Sequence, residues 1–371
     1  MPVTRSQTAR AARPLQLHDL PTDLVILIVE AWAATVDVPA LLYGTPWMAR
    51  VFLGPGTLAD DGDGWRLVAE RFGVKRSAAW PTWRATVEEL RCEVAAAKEA
   101  GVETKLFLEN VQFNRRAFCK LCRLGWALLV EGCLYRGRFP QIDERGKHEQ
   151  TALMKTATYG RVEVAERLLA HGPALEAVDS HGWTPLITGA FYGHVALVNL
   201  LLERGAAVDA AEQGGCTALM AAAQGGHVGV VALLLEKGAS VDQTDNEEST
   251  ALIHAADNGH TELAALLLEK GASIDKTDNE EITALMWAAH SGHTELVALL
   301  LKHGAAIDKV DHNGQSALIL GAQKGREAVV KFLIGKGAEA GTMDNNGDTA
   351  LDSARANGHL GIVALLEQAA A

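Results

Sequence analysis

From residue 146 onward, apolar stripes at helical spacing come in pairs, and glycines close each pair. Residues 179–211 show the unit clearly. Asp179 and Gly182 supply turn chemistry ahead of the first stripe. Thr184 is placed to cap a helix with its hydroxyl, and Pro185 falls at its first position, where a missing N–H costs nothing. The small Ala190 lets two helices approach closely. Gly193 ends the first helix, and His194 starts the return. Val195, Val198 and Leu201 then share one face of a second helix, which Gly205 stops in the left-handed conformation. The pattern predicts a helix–turn–helix unit.

The unit repeats without drift. Thr151, Thr184, Thr217, Thr250, Thr283, Ser316 and Thr349 follow one another every 33 residues. Gly160, Gly226, Gly259, Gly292, Gly325 and Gly358 end the other first helices; Gly172, Gly238, Gly271, Gly304 and Gly337 end second helices. A fixed period of this length marks a stacked array, in which each unit buries its apolar face on its neighbours. The copies run 146–178, 179–211, 212–244, 245–277, 278–310, 311–343 and 344–371. The last copy carries Asp348 and Asp352, the polarity a terminal cap requires.

These motifs resemble the ankyrin repeat, whose signature is T-P-L-H-x-A followed by G-H and L-L-L. The resemblance implies an all-α fold: a solenoid of seven helix–turn–helix repeats with β-turn tips. Departures are specific. The proline survives only at Pro185, and Met154, Ile187, Met220, Ile253, Met286, Ile319 and Asp352 stand at the signature histidine. Glu248 and Glu281 replace the turn glycine; if that position keeps a positive φ, each costs about 1 kcal/mol of strain. Their two copies are nearly identical to one another, as after an internal duplication.

In arrays of this family the turn tips and the exposed face of the first helix line a concave binding surface. Those positions hold Tyr159 in copy one and Trp183, Phe191 and Tyr192 in copy two. Copies four and five place Glu247 and Glu280 there, with His290, and Trp287 one helical turn back. Aromatic residues make up 5 % of the chain, so four on neighbouring tips is a concentration of the kind that forms binding hot spots. The bland alternative is that these rings merely cover helix ends. Glu247, Glu248, Glu280 and Glu281 form an acidic ledge beside them, or a solvated face.

The front third follows another pattern. Residues 19–32 read D-L-P-T-D-L-V-I-L-I-V-E-A-W, a helix apolar nearly all round, which needs cover on more than one side. Leu41-Leu42, Trp47 and Val51-Phe52 follow, then Trp65 and Leu67. This resembles an F-box over residues 15–75. The resemblance implies a three-helix module that docks on a Skp-type adaptor of a cullin–RING ubiquitin ligase through Leu20, Pro21, Leu24 and Ile28. A helical capping domain with those residues inside is the alternative. Residues 76–145 read as a helical spacer and N-terminal cap of the array. Residues 1–14 are basic, with Arg5, Arg10 and Arg13, and read as a disordered tail or an organelle transit peptide.

Charge narrows the partners. Residues 146–371 hold 15 Lys+Arg against 29 Asp+Glu, a balance of −14, while the remainder carries +2. An acidic array repels phosphate backbones and favours a basic protein segment. The longest aliphatic run, Leu24 to Val29, is far short of a membrane span. Five sparse cysteines fit a reducing cytoplasmic or nuclear compartment. Cys119-x-x-Cys122 has metal-like spacing but lacks nearby ligands, and a continuous helix with buried thiols is the simpler reading. No phosphate loop, nucleophile elbow or paired carboxylate stands out. No catalytic, cofactor-binding or metal-binding residues are expected. The whole chain reads as a non-catalytic substrate receptor of a cullin–RING ligase; the alternative is a scaffold or anchoring adaptor unrelated to ubiquitin.

Overall fold

The computed structural model describes residues 115–125, 127, 130, 134 and 142–370. The basic tail, the F-box-like module with Leu20, Pro21, Leu24 and Ile28, and most of the spacer lie outside the described residues. Two compact units are formed. One holds the described residues up to Glu144 together with Arg167–Gly172; the other holds Arg145–Glu166 and everything from Pro173 on.

In the first unit, α1 (Arg115–Leu124) buries Phe118, Leu121 and Cys122. The sequence pattern implied a continuous helix, but α1 ends at Leu124. Gly125 takes φ +87° and breaks it, and Ala127, Val130 and Leu134 are buried beyond the break.

The remaining helices alternate. First helices are α2 (Ala152–Thr158), α4 (Pro185–Phe191), α6 (Ala218–Gln224), α8 (Ala251–Asp257), α10 (Ala284–Ser291), α12 (Ala317–Gln323) and α14 (Ala350–Ala356). Second helices are α3 (Val162–Leu169), α5 (Val195–Glu203), α7 (Val228–Glu236), α9 (Thr261–Glu269), α11 (Thr294–Lys302), α13 (Glu327–Gly335) and α15 (Leu360–Ala370). Among the described residues there are no strands, only isolated antiparallel bridges at the tips, such as Thr277 with Thr283 and Val310 with Ser316. First helices of neighbouring copies pack on one another more extensively than second helices do.

Each first helix starts for the same local reason. The threonine or serine at its N-cap accepts a hydrogen bond from the backbone N–H three residues on, which satisfies one orphan donor of the first turn. In α14 the Asp352 carboxylate completes a capping box by accepting from the Thr349 N–H at 3.1 Å. Burial supplies the rest. Leu186, Leu219, Leu252, Leu285 and Leu318 in first helices and Leu201, Leu234, Leu267, Leu300 and Leu333 in second helices are at most 2 % exposed. Each is worth about 1.5–3 kcal/mol relative to an exposed side chain.

Three polar ladders stitch neighbouring copies. The first uses the frame histidines. Nε2 of His194, His227, His260, His293 and His359 lies 2.8–3.2 Å from the carbonyl of the residue 36 positions earlier. Each ring sits over the glycine that ends the preceding first helix; a Cβ on Gly193 would lie 2.5 Å from His227 Nδ1. Copy six has Arg326 instead, whose Nε donates to the His290 carbonyl at 3.0 Å. In the second ladder, Glu176, Asp209, Asp242, Asp275 and Asp308 accept from the backbone N–H 31 residues on. The third links tip to tip: Asn246, Asn279, His312 and Asn345 donate their N–H to carbonyls of the preceding tips at 2.8–2.9 Å.

Candidate protein-binding face

A buried or half-buried aspartate organises the turn in copies two, four, five, six and seven. Asp179, Asp245, Asp278, Asp311 and Asp344 occupy equivalent positions, and one carboxylate oxygen of each accepts from the N–H groups two and four residues on. These bonds hold the tip in shape. They also depress the Asp344 carboxyl below the usual range, the Asp348 N–H contributing most.

The second oxygen distinguishes the copies. In copy two, Asp179 uses it to accept from the Gln150 amide at 3.2 Å. In copy four, His254 on α8 lies 3.0 Å from Asp245 Oδ2, while the N–H of the tip residue Glu247 donates to Oδ1 of the same carboxylate. Copy five repeats the arrangement with another ring. The Trp287 indole N–H donates to Asp278 Oδ2 at 2.9 Å, and the Glu280 N–H donates to Oδ1. Twice, then, one carboxylate fixes both the backbone of an exposed tip glutamate and a half-buried ring on the first helix. His290 stands edge-on to Trp287, ring centres 5.6 Å apart. Its Nδ1 is buried without a hydrogen-bond partner. Burial, then Lys324 and Arg326, push its pKa down, against the opposing pull of Asp257. His290 is therefore a neutral ring at neutral pH.

Copies one and two are decorated differently. Trp183 and Phe191 meet edge-to-face at 5.0 Å, and Phe191 and Tyr192 meet nearly perpendicular at 5.3 Å. Tyr192 also stacks on the frame residue His194. Trp183 and Phe191 are half-buried, whereas Tyr192 and its counterpart Tyr159, each the C-cap of its first helix, are 47 % and 43 % exposed. Three rings thus form a corner whose solvent-exposed member is Tyr192.

The structure brings Trp183, Phe191 and Tyr192 together, and Trp287 with His290. Glu247 and Glu280 are exposed at linked tips, because the Asn279 N–H donates to the Glu247 carbonyl. Sequence reasoning missed His254, Asp245 and Asp278. A nine-residue spacing from turn aspartate to a ring on the first helix was the available signal. It also missed Glu149, which with Glu248 and Glu281 occupies the turn-glycine position. All three have φ of 59–62°, so the positive φ that the strain estimate required is present. Cys216 lies half-buried beside the copy-three turn, its thiol pushed up to about 12 by burial and then by Glu212 and Asp245, which makes it a poor nucleophile. Among the described residues no group of histidine, cysteine and carboxylate side chains could hold a metal ion, and no helix is long and apolar enough to cross a membrane.

Comparison with known proteins places this geometry. The family profile described as ankyrin repeats (3 copies) matches residues 127–212, 206–278 and 285–371. The solved structure of the human ASB11 ankyrin repeat domain is 26 % identical, superposes with a TM-score of 0.55, and covers 60 % of this chain and 98 % of its own. No curated protein is similar enough to this chain to match it.

Proposed function

The chain belongs to the ankyrin-repeat family, and from that premise we propose that it binds a partner protein on the face made by its turn tips and first helices, without catalysis. The observation that carries this reading is the corner of Trp183, Phe191 and Tyr192 in copy two, with the exposed tip residues Glu247 and Glu280 further along in copies four and five. Partly exposed aromatics ringed by polar groups are the composition of an interface centre. The acidic balance of the array favours a partner segment with Lys or Arg beside apolar anchors. A binding role also suits where the polar chemistry goes. The frame histidines are spent on backbone carbonyls and the turn aspartates on backbone N–H groups, so neither set is left to act on a substrate.

The fuller form of this proposal is a substrate receptor of a cullin–RING ubiquitin ligase, working in the cytoplasm or nucleus. Its support is the Leu20-Pro21, Leu24 and Ile28 pattern followed by Leu41-Leu42, Trp65 and Leu67. A scaffold unrelated to ubiquitin is the alternative, favoured by the array alone. Co-purification with a Skp-type adaptor separates the two. Recovery with the intact chain and loss in a Leu20→Ala/Pro21→Ala/Ile28→Ala variant is the expected result; no adaptor with the intact chain rejects the ligase form and leaves the scaffold.

A further inference from the structure

Two surfaces of different chemistry lie on the same face, with a low floor between them. At one end is the aromatic corner of copies one and two. At the other are the rings of His254, Trp287 and His290, flanked by Glu247, Glu280 and Asp257. Between them the position that carries the ring on α8 and α10 holds Thr188 on α4 and Ala221 on α6, both buried. No side chain larger than threonine stands at that position to obstruct a chain lying across copies two and three.

The far end offers a cation an indole and carboxylates on the side of the tips, while Lys324 and Arg326 of copy six face His290. The Trp287 side chain is half-buried, and its indole N–H is already engaged by Asp278. The Asp278 carboxylate that holds the indole also holds the backbone of Glu280, which places a free carboxylate at the tip of the same copy. A guanidinium or ammonium over an indole face, close to carboxylates, gains both cation–π and Coulomb attraction. The near end offers perpendicular rings and, among residues 180–202, no acidic side chain. That end suits an apolar side chain.

Resting on the reading of this face as a protein-binding surface, we infer that the partner is a single extended segment with two anchors: an apolar side chain in the Trp183–Phe191–Tyr192 corner and an arginine or lysine cluster over Trp287. The two anchors are three copies apart. Helix axes in contact lie roughly 8–10 Å apart, so the span is about 24–30 Å. A polyproline-like strand rises about 3.1 Å per residue, which puts about 8–10 residues between the anchors. Joining the two contacts makes the second intramolecular, and the gain in affinity peaks where the spacer matches the span.

The probes are synthetic peptides with a Leu-Phe pair and an Arg-Lys-Arg cluster joined by proline spacers of 2, 5, 9, 14 and 20 residues. Each is made in both chain orders and titrated calorimetrically into the full chain beside the two halves alone. Affinity should peak near the nine-residue spacer in one of the orders, at least tenfold above the better half and above the shortest and longest spacers. Trp183→Ala/Tyr192→Ala should reduce the best peptide to the affinity of its basic half. Glu247→Gln/Glu280→Gln, on exposed positions that leave folding intact, should weaken the basic half and spare the apolar one. Halves that bind with no dependence on spacer length overturn the two-anchor inference and leave the binding face standing. No binding by any peptide or half overturns the inference and, with it, the assignment of a basic and apolar segment to this face.

Discussion

Copies two and five share one frame and carry opposite surfaces. In both, a threonine caps the first helix, a turn aspartate gathers two backbone N–H groups, a frame histidine bonds back to the preceding copy, and leucines fill the core. The difference lies in side chains the frame leaves unassigned. Copy two spends them on Trp183, Phe191 and Tyr192, an apolar corner held by ring contacts. Copy five spends them on Glu280, Trp287 and His290, a polar surface held by a carboxylate. Stability is periodic because each ladder bond recurs at a fixed offset. On the proposed reading, recognition is aperiodic because it uses side chains that those ladders leave unassigned.

The largest effect should come from breaking the frame equally at both places. Gly193 and Gly259 both have φ +76°, and each seats the histidine of the next copy. Valine at either adds left-handed strain of about 1–2 kcal/mol and pushes on a ring that has nowhere to go. Gly193→Val and Gly259→Val should each cost about 2–5 kcal/mol in urea unfolding, within 1 kcal/mol of one another. A near-neutral result at either site would show that the frame is not shared.

Next come the turn aspartates. Asp179→Ala and Asp278→Ala each strand two backbone N–H groups and one side-chain donor, so each should cost about 2–4 kcal/mol. Only Asp278→Ala should shift the indole N–H resonance that Trp287→Phe removes. A shift of that resonance in Asp179→Ala as well would erase the distinction between the copies.

A smaller and opposite effect is expected at the turn glycine position. Glu281→Gly relieves φ +62° and should stabilise by up to about 1 kcal/mol, reduced by the greater freedom of glycine in the unfolded chain. Gly182→Glu in copy two should destabilise, because its Cβ would lie 2.9 Å from the Gln213 backbone nitrogen. Thermal midpoints of the two variants should move in opposite directions.

The smallest effect is in pH. His290 has a folded-state pKa below the unfolded 6.5, so protons bind the unfolded chain more readily. Its contribution to stability is complete above about pH 7 and is lost as pH falls through 6.5 toward the folded value. His290→Gln should flatten that part of the stability–pH profile, measured from pH 8 to 5. Copy two has no histidine at the matching position, where Phe191 stands, and Phe191→Leu should leave the slope as it was.

The frame was legible in the sequence because its causes are local. Threonine caps, glycine stops and leucine stripes act within a few residues and recur at 33, so composition and spacing reveal them. The histidine ladder was visible only as a recurring residue, since its bond crosses 36 residues to another copy. Trp183, Phe191 and Tyr192 could be singled out together because two are adjacent and the third directly precedes the Thr184 cap of the same helix. The use of Asp245 and Asp278 was legible only as a nine-residue spacing to His254 and Trp287, because packing is what makes those carboxylates serve ring and tip at once. Glu149 escaped notice because copy one opens on Gly146, without the turn aspartate that marks the position elsewhere. The break at Gly125 was hidden by apolar spacing that continues on either side of it.

The central claim is that binding belongs to the tips and first helices. Hydrogen exchange of the full chain, with and without the nine-spacer peptide, tests it most directly. The account predicts slowed exchange at the tips around Ser180–Gly182, Asn246–Glu248 and Asn279–Glu281 and at the ends of α4, α8 and α10, with α5, α7, α9 and α11 unchanged. Protection confined to those second helices would contradict it.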